Sequence, residues 1–191
     1  MKYRAEIDGL RAVAVLVVVF YHARLMFGEL EIFKGGFIGV DVFFVISGYL
    51  ISSIILKENQ ESQFSFVDFY IRRARRILPA LFTVMIVTLP FAWLMMLPNA
   101  LQEYAGSLLS SLFFGSNIWF WVEDSYIAEP SALKPLLHTW SLSVEEQYYL
   151  VFPLLLILLT KLSNKLVLPV FSILFVVSMF LASVWSMESP D

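Results

Sequence analysis

Apolar residues in this chain do not alternate with polar ones. They run in blocks that approach the roughly 20 residues an α-helix needs to cross the hydrocarbon core of a bilayer. The blocks are residues 10–27, 36–56, 77–97, 104–122, 143–160 and 166–187. Backbone in lipid must satisfy its own hydrogen bonds, and the two-residue alternation of a membrane barrel is missing, so the pattern predicts helices. The predicted fold class is all-α: a polytopic integral membrane helix bundle with five to six transmembrane helices. The N-terminal MKYR followed by AVAVLVVVF has the outline of a secretory signal. The FYHARLMF that follows lacks the small residues of a cleavage site, and the first block reads as a retained span.

Composition agrees, with 59% hydrophobic and 15% charged residues against about a quarter charged in ordinary soluble domains. The formal net charge of -3 gives no sign of a nucleic-acid partner, which moves the functional question to where the few charges sit. Cysteine is absent and there are two histidines, which excludes disulfides and thiolate chemistry and argues against a dedicated metal site.

Lys and Arg set the expected orientation. Lys2, Arg4 and Arg11 at the N-terminus, and Arg72, Arg73, Arg75 and Arg76 between the second and third blocks, both belong on the cytoplasmic side, and the two spans between them make this consistent. If residues 104–122 cross fully, the acidic loop with Glu123, Asp124 and Glu129 becomes cytoplasmic while Lys161 and Lys165 face out, inverting the usual bias. Gly106, Gly115, Asn117 and four serines in residues 107–116 make this the weakest block. A re-entrant or interfacial course restores the rule, and the pattern leaves both courses open.

Three groups of polar residues stand inside or beside the apolar blocks. Arg11 and His22 are eleven positions apart, about 1100° of helical rotation and about 16 Å of rise, so they share one helix face. Taken alone, Arg11 also fits a snorkelling anchor and His22 an interhelical hydrogen bond, while Arg24 reads as an interface anchor. RRARRILPA is either a positive-inside stop before the third span, with Pro79 in its first turn, or a phosphate site. Arg72 with Arg75, or Arg73 with Arg76, presents two guanidinium forks on one face, and spacing does not separate the two registers.

In LLHTWSLSVEEQYYLVFPLLL, Ser143 followed by Glu146 matches a capping box, which explains Glu146 structurally. Glu145 lacks that explanation and is the candidate to orient or accept a proton from an imidazole. His138 shares its face only if the helix starts early, and ranks second. GGFIGVDVFFVISGYLI, with Asp41 and Ser47, reads mostly as packing.

Five ordered stretches, EIDGLRAVAVLVVVFYH, GGFIGVDVFFVISGYLI, FYIRRARRILPA, SNIWFW and LLHTWSLSVEEQYYL, resemble the acyltransferase family 3 membrane proteins, the bacterial group that acylates sugars of lipopolysaccharide O-antigen, peptidoglycan and other exported glycans. The resemblance covers essentially the whole chain, which matches the N-terminal part of such a domain; residues 1–191 are therefore expected to be a truncated family domain. The resemblance implies no bound cofactor. It implies an acyl group, commonly acetyl from acetyl-CoA as co-substrate, taken from the cytoplasmic side and delivered to a glycan hydroxyl at the outer face.

The family's functional residues fall on Arg11, His22 and one pair within Arg72, Arg73, Arg75 and Arg76. The arginines would hold the donor's phosphates, His22 would act as base or take the acyl group itself, and Glu145 would stabilise the charged imidazole. The implied partners are acyl-CoA, membrane lipids and the glycan acceptor, and the implied place is the bacterial inner (cytoplasmic) membrane with the N-terminus in the cytoplasm. Intramembrane Arg, His and Glu also suit a transporter or proton-relay module, and an inactive fragment is the third alternative.

Overall fold

The computed structural model describes residues 4–24, 26–27, 30–124 and 134–188; the expectations for Lys2 and Glu129 fall outside the described residues. Seven helices and one minimal hairpin follow in the order α1 (Ala5–His22), β1 (Met26–Phe27), β2 (Leu30–Glu31), α2 (Ile38–Gln60), α3 (Phe66–Met95), α4 (Pro98–Leu112), α5 (Ser116–Asp124), α6 (Thr139–Leu162) and α7 (Asn164–Glu188). β1 and β2 pair antiparallel, Met26 opposite Glu31. Among the described residues, α2, α3, α6 and α7 are long and apolar enough to cross a membrane. α1 has 18 residues but carries Glu6, Asp8 and Arg11 in its first half. The fold is an all-helical membrane bundle.

Helix ends depart from the apolar blocks wherever polar residues carry the helix past them. α3 begins at Phe66 rather than residue 77, because the Ser65 hydroxyl accepts from the Asp68 N-H at 3.3 Å and caps it. Arginine is a good helix former, so the four arginines lie inside α3 rather than in a loop before it. Pro79 and Pro90 are interior to the helix rather than at its first turn. α1 likewise runs from Ala5 to His22, so His22 is the last helical residue and not part-way through a span.

The weakest block is two helices. The backbone turns at Phe114, whose φ of 53° is left-handed, and Gly115 N-H returns to Ser110 O at 2.7 Å, which ends α4 in a left-handed cap. Gly106 and Trp119 would be about 20 Å apart on a continuous helix, yet a Cβ on Gly106 would collide with the Trp119 ring. The segment therefore doubles back instead of running as one continuous helix. Glu123 is an α5 residue, paired with Lys134 at 3.1 Å and almost fully buried, which ties the approach to α6 onto the hairpin.

The chain divides into two compact units, Met1–Tyr148 and Tyr149–Asp191. In the second, Phe152 and Phe171 pack with ring centroids 5.3 Å apart, and α7 is exposed along its most apolar stretch. In the first, α1 and α2 approach closely and antiparallel. A Cβ on Gly39 would strike the Ala14 carbonyl oxygen and come within 2.8 Å of Val18 Cγ2. Gly39→Ala is expected to force the two helices apart at a cost of about 1–3 kcal/mol, read as a lower melting temperature in detergent. Gly35→Ala, whose Cβ meets nothing within 4 Å, is the control that should melt like wild type.

Candidate active site

The N-terminal half of α6 meets several elements of the first unit through side chains. On one side it meets α2 through Trp140 and Phe44, edge to face at 6.5 Å. On another it meets the α4–α5 turn through a polar seam. Ser111 and Thr139 share a hydroxyl bond at 2.7 Å, Thr139 donates to Ser116 at 2.9 Å, and Ser116 and Ser143 share one at 2.7 Å. Gln147 Nε2 donates to Phe114 O at 2.8 Å and to Asn117 Oδ1 at 2.9 Å, and Asn117 Nδ2 donates back to Gln147 Oε1 at 3.2 Å. Ser143 is thus buried in the second turn of α6 rather than capping it. Turn bonds such as Thr139 N-H to Leu136 O wind the helix up before residue 143 is reached.

Gln147 is the side chain that holds the left-handed corner at Phe114. Gln147→Leu is expected to leave that carbonyl and the Asn117 amide without their buried partner, at about 1–3 kcal/mol. Thermal unfolding of the inserted protein measures it.

Between α1, α2 and α6 lies a cavity of about 320 Å³ lined by Ala14, Val15, Val18, Val19, Phe43 and Glu145 among others. Its α1 wall is the set of positions between Arg11 and His22, which the shared helix face places one at each end. Gly39 is also on the wall, so the close helix approach forms part of the cavity's floor. Apart from Glu145 and Ser141 the lining is apolar.

At one end the Arg11 guanidinium stacks on Phe43, 5.1 Å from the ring centroid, and touches Asp8 only at 4.0 Å. Its Nε is buried with no hydrogen-bond partner among the described residues. At the other end His22 Nδ1 lies 2.8 Å from Val18 O. A carbonyl only accepts, so Nδ1 carries a hydrogen, and in the neutral ring Nε2 keeps its lone pair. The His138 ring stands edge to face against His22, centroids 4.4 Å apart. The second-ranked histidine is therefore the one in contact with the first, because α6 starts beside the end of α1.

Adjacent residues on a helix diverge by about 100°, and Glu145 and Glu146 separate accordingly. Glu145 lines the cavity. Glu146 turns to α3 and accepts from Arg73 Nη2 at 3.4 Å, with both side chains largely buried at 15% and 13% exposure. The capping explanation of Glu146 gives way to this ion pair. Arg72 reaches α2, its Nη2 3.0 Å from both Glu58 oxygens, while Arg75 and Arg76 are exposed and have no ion-pair partner among the described residues. Each i,i+3 register thus contains one arginine already engaged by a carboxylate.

The sequence reading missed the Arg73–Glu146 pair and the hydroxyl seam. SNIWFW carried the signal for the seam, since Ser116 and Asn117 are polar residues in an otherwise apolar run. Among the described residues, no group of three or more His, Asp or Glu is placed to hold a metal ion.

The fold is an all-helical membrane bundle, with an apolar cavity whose α1 wall has Arg11 about one turn before it and His22 about one turn after it. The chain belongs to the acyltransferase family, whose domain model, described as an acyltransferase domain, matches residues 4–191. Similar proteins include "Peptidoglycan O-acetyltransferase OatA" of Listeria monocytogenes, 40% identical over 84% of this chain and 25% of that protein. "Putative peptidoglycan O-acetyltransferase YrhL" of Bacillus subtilis is 41% identical over 82% of this chain and 24% of its own length. A "Putative O-acetyltransferase" of Staphylococcus aureus is 39% identical over 83% and 26%. The chain spans about a quarter of the length of these curated relatives. No solved structure matches it significantly.

Proposed function

We propose that this chain forms the donor side of a membrane O-acetyltransferase that moves acetyl from acetyl-CoA to a hydroxyl of an exported glycan. The relatives' names turn the acceptor toward peptidoglycan rather than lipopolysaccharide O-antigen. The cavity is the observation that carries the reading. A CoA thioester has a polyanionic head, a long uncharged arm and a reactive carbonyl at the tip. An apolar cavity of about 320 Å³, at the small end of ligand pockets, with Arg11 about one turn before its α1 wall and His22 about one turn after it, suits the arm and its tip.

Arg11 offers a buried, unpartnered Nε to a negative group. On α3, Arg75 and Arg76 are exposed, and the surface bond between Arg72 and Glu58 is of the kind worth at most about 1 kcal/mol, which a phosphate can replace. With the N-terminus cytoplasmic, α1 carries His22 outward, α3 returns to the outer side, and the α4–α5 hairpin stays there. α6 then leads Lys161 and Lys165 back to the cytoplasm, in keeping with the positive-inside bias.

In the reaction the glycan oxygen bonds to the acetyl carbon as its proton passes to His22 Nε2, and the carbon–sulfur bond breaks. The departing thiolate takes that proton to become the CoA thiol. Glu145, on the cavity wall, offsets the transient positive charge of the imidazole. Membranes carrying the inserted chain, given radiolabelled acetyl-CoA, are expected to move label into glycan. Correctly inserted protein that moves none overturns the reading.

A further inference from the structure

The chain has two histidines, far apart in sequence, on separate elements, and the fold brings their rings to 4.4 Å, edge to face at 79°. His22 is held by its Nδ1–H bond to Val18 O and also by an edge contact with Tyr21 at 5.0 Å. His138 is the last residue of the turn that opens α6, wound by Leu137 N-H to Lys134 O and Thr139 N-H to Leu136 O. Both rings keep an open side at this end of the bundle. Two imidazolium rings at this separation repel, and two groups that repel strongly take up protons in two steps that belong to the pair.

We propose that His22 and His138 take up no more than one proton between them, His138 acting as a neutral positioning residue that keeps the His22 ring in place and free to accept the acceptor hydroxyl's proton. The inference rests on the acetyl-transfer reading only for what the proton is used for. Partial burial of His138, and then the neighbouring His22 charge, push its pKa below the usual histidine value. His138 therefore stays neutral beside the His22 ring.

The other ionisable groups on the surrounding elements are accounted for. Tyr21 and Arg24 close the end of α1, Lys34 and Asp41 flank the entry to α2, and Glu145 faces the cavity two turns into α6. Lys134 is held by Glu123 at 3.1 Å. The only other imidazole in reach of either ring is its partner.

With two histidines in the chain, imidazole NMR of the whole 191-residue protein in detergent reads each ring separately. His22 resonances are expected to respond in two steps in the wild type and in one step in His138→Phe, which keeps a ring against His22. In His22→Ala the His138 midpoint is expected to rise toward the ordinary histidine value, because a repelling charge is gone. Two independent single-step titrations, or a His138 midpoint that does not move, overturn the proposal. In the transfer assay His138→Phe is expected to lose about tenfold in turnover, less than the about 10²–10⁴-fold of the base itself, with the KM for acetyl-CoA unchanged. Full turnover in that variant overturns the proposal even if the rings are coupled. Should the wild type move no acetyl group, the acetyl-transfer reading fails while the titration still decides whether the pair shares a proton.

Discussion

His22→Ala is expected to lower acetyl transfer by about 10²–10⁴-fold, the range for removing a positioned general base, with insertion and melting temperature close to wild type. The separation of the two readouts follows from where the ring sits. His22 ends α1 and is exposed, with one hydrogen bond to its own helix at Val18 O, so its removal opens no large core cavity and leaves no buried donor. The chemistry has no substitute, because the Nδ1–H tautomer makes Nε2 the available base and the neighbouring His138 is tied to the turn before α6 rather than to the cavity wall. The assay is turnover with radiolabelled acetyl-CoA at equal amounts of inserted protein. An alanine variant as active as wild type would mean that the imidazole holds no role in the transfer.

Periodicity made part of this site legible. Eleven residues return a helix to nearly the same face, so Arg11 and His22 were certain to share one if the block was helical, and the cavity wall is that face. Helix ends were less legible, since hydropathy marks where lipid begins and not where hydrogen bonding does. Ser65 starts α3 and the arginines continue it through a stretch that hydropathy assigns to a loop. The same cause misplaced Ser143, which looks like a cap only if the preceding apolar LLHTWSL is ignored as helix. The contact of His22 with His138 was not legible at all. It depends on where α6 starts relative to the end of α1, a tertiary placement that hydropathy and spacing within either block do not carry. The two arginine registers stayed open because spacing fixes which residues share a face and not which face meets a carboxylate.

Glu146→Ala is expected to cost about 3–5 kcal/mol of stability, the range for leaving one charge of a buried pair behind, and to be the most destabilising single change at the site. Arg73 and Glu146 are both largely out of solvent, in the first unit, and join α3 to α6. With the carboxylate gone, the guanidinium remains in a low-dielectric setting without the charge that offset its desolvation. Arg73→Ala should be destabilising for the mirror reason, and Arg73→Met combined with Glu146→Met should recover much of the loss, since an apolar pair incurs no desolvation penalty. Denaturation in detergent of wild type, Glu146→Ala, Arg73→Ala and the double alanine variant forms a double-mutant cycle, and additive costs would show that the two charges do not interact. The adjacent carboxylate supplies the contrast. Glu145→Gln keeps shape on the cavity wall, so stability should hold while acetyl transfer falls, because the charge that balances the protonated imidazole has been removed. Two neighbouring glutamates, rotated by about 100° on one helix, thus face different neighbours, one paired with α3 and the other on the cavity wall.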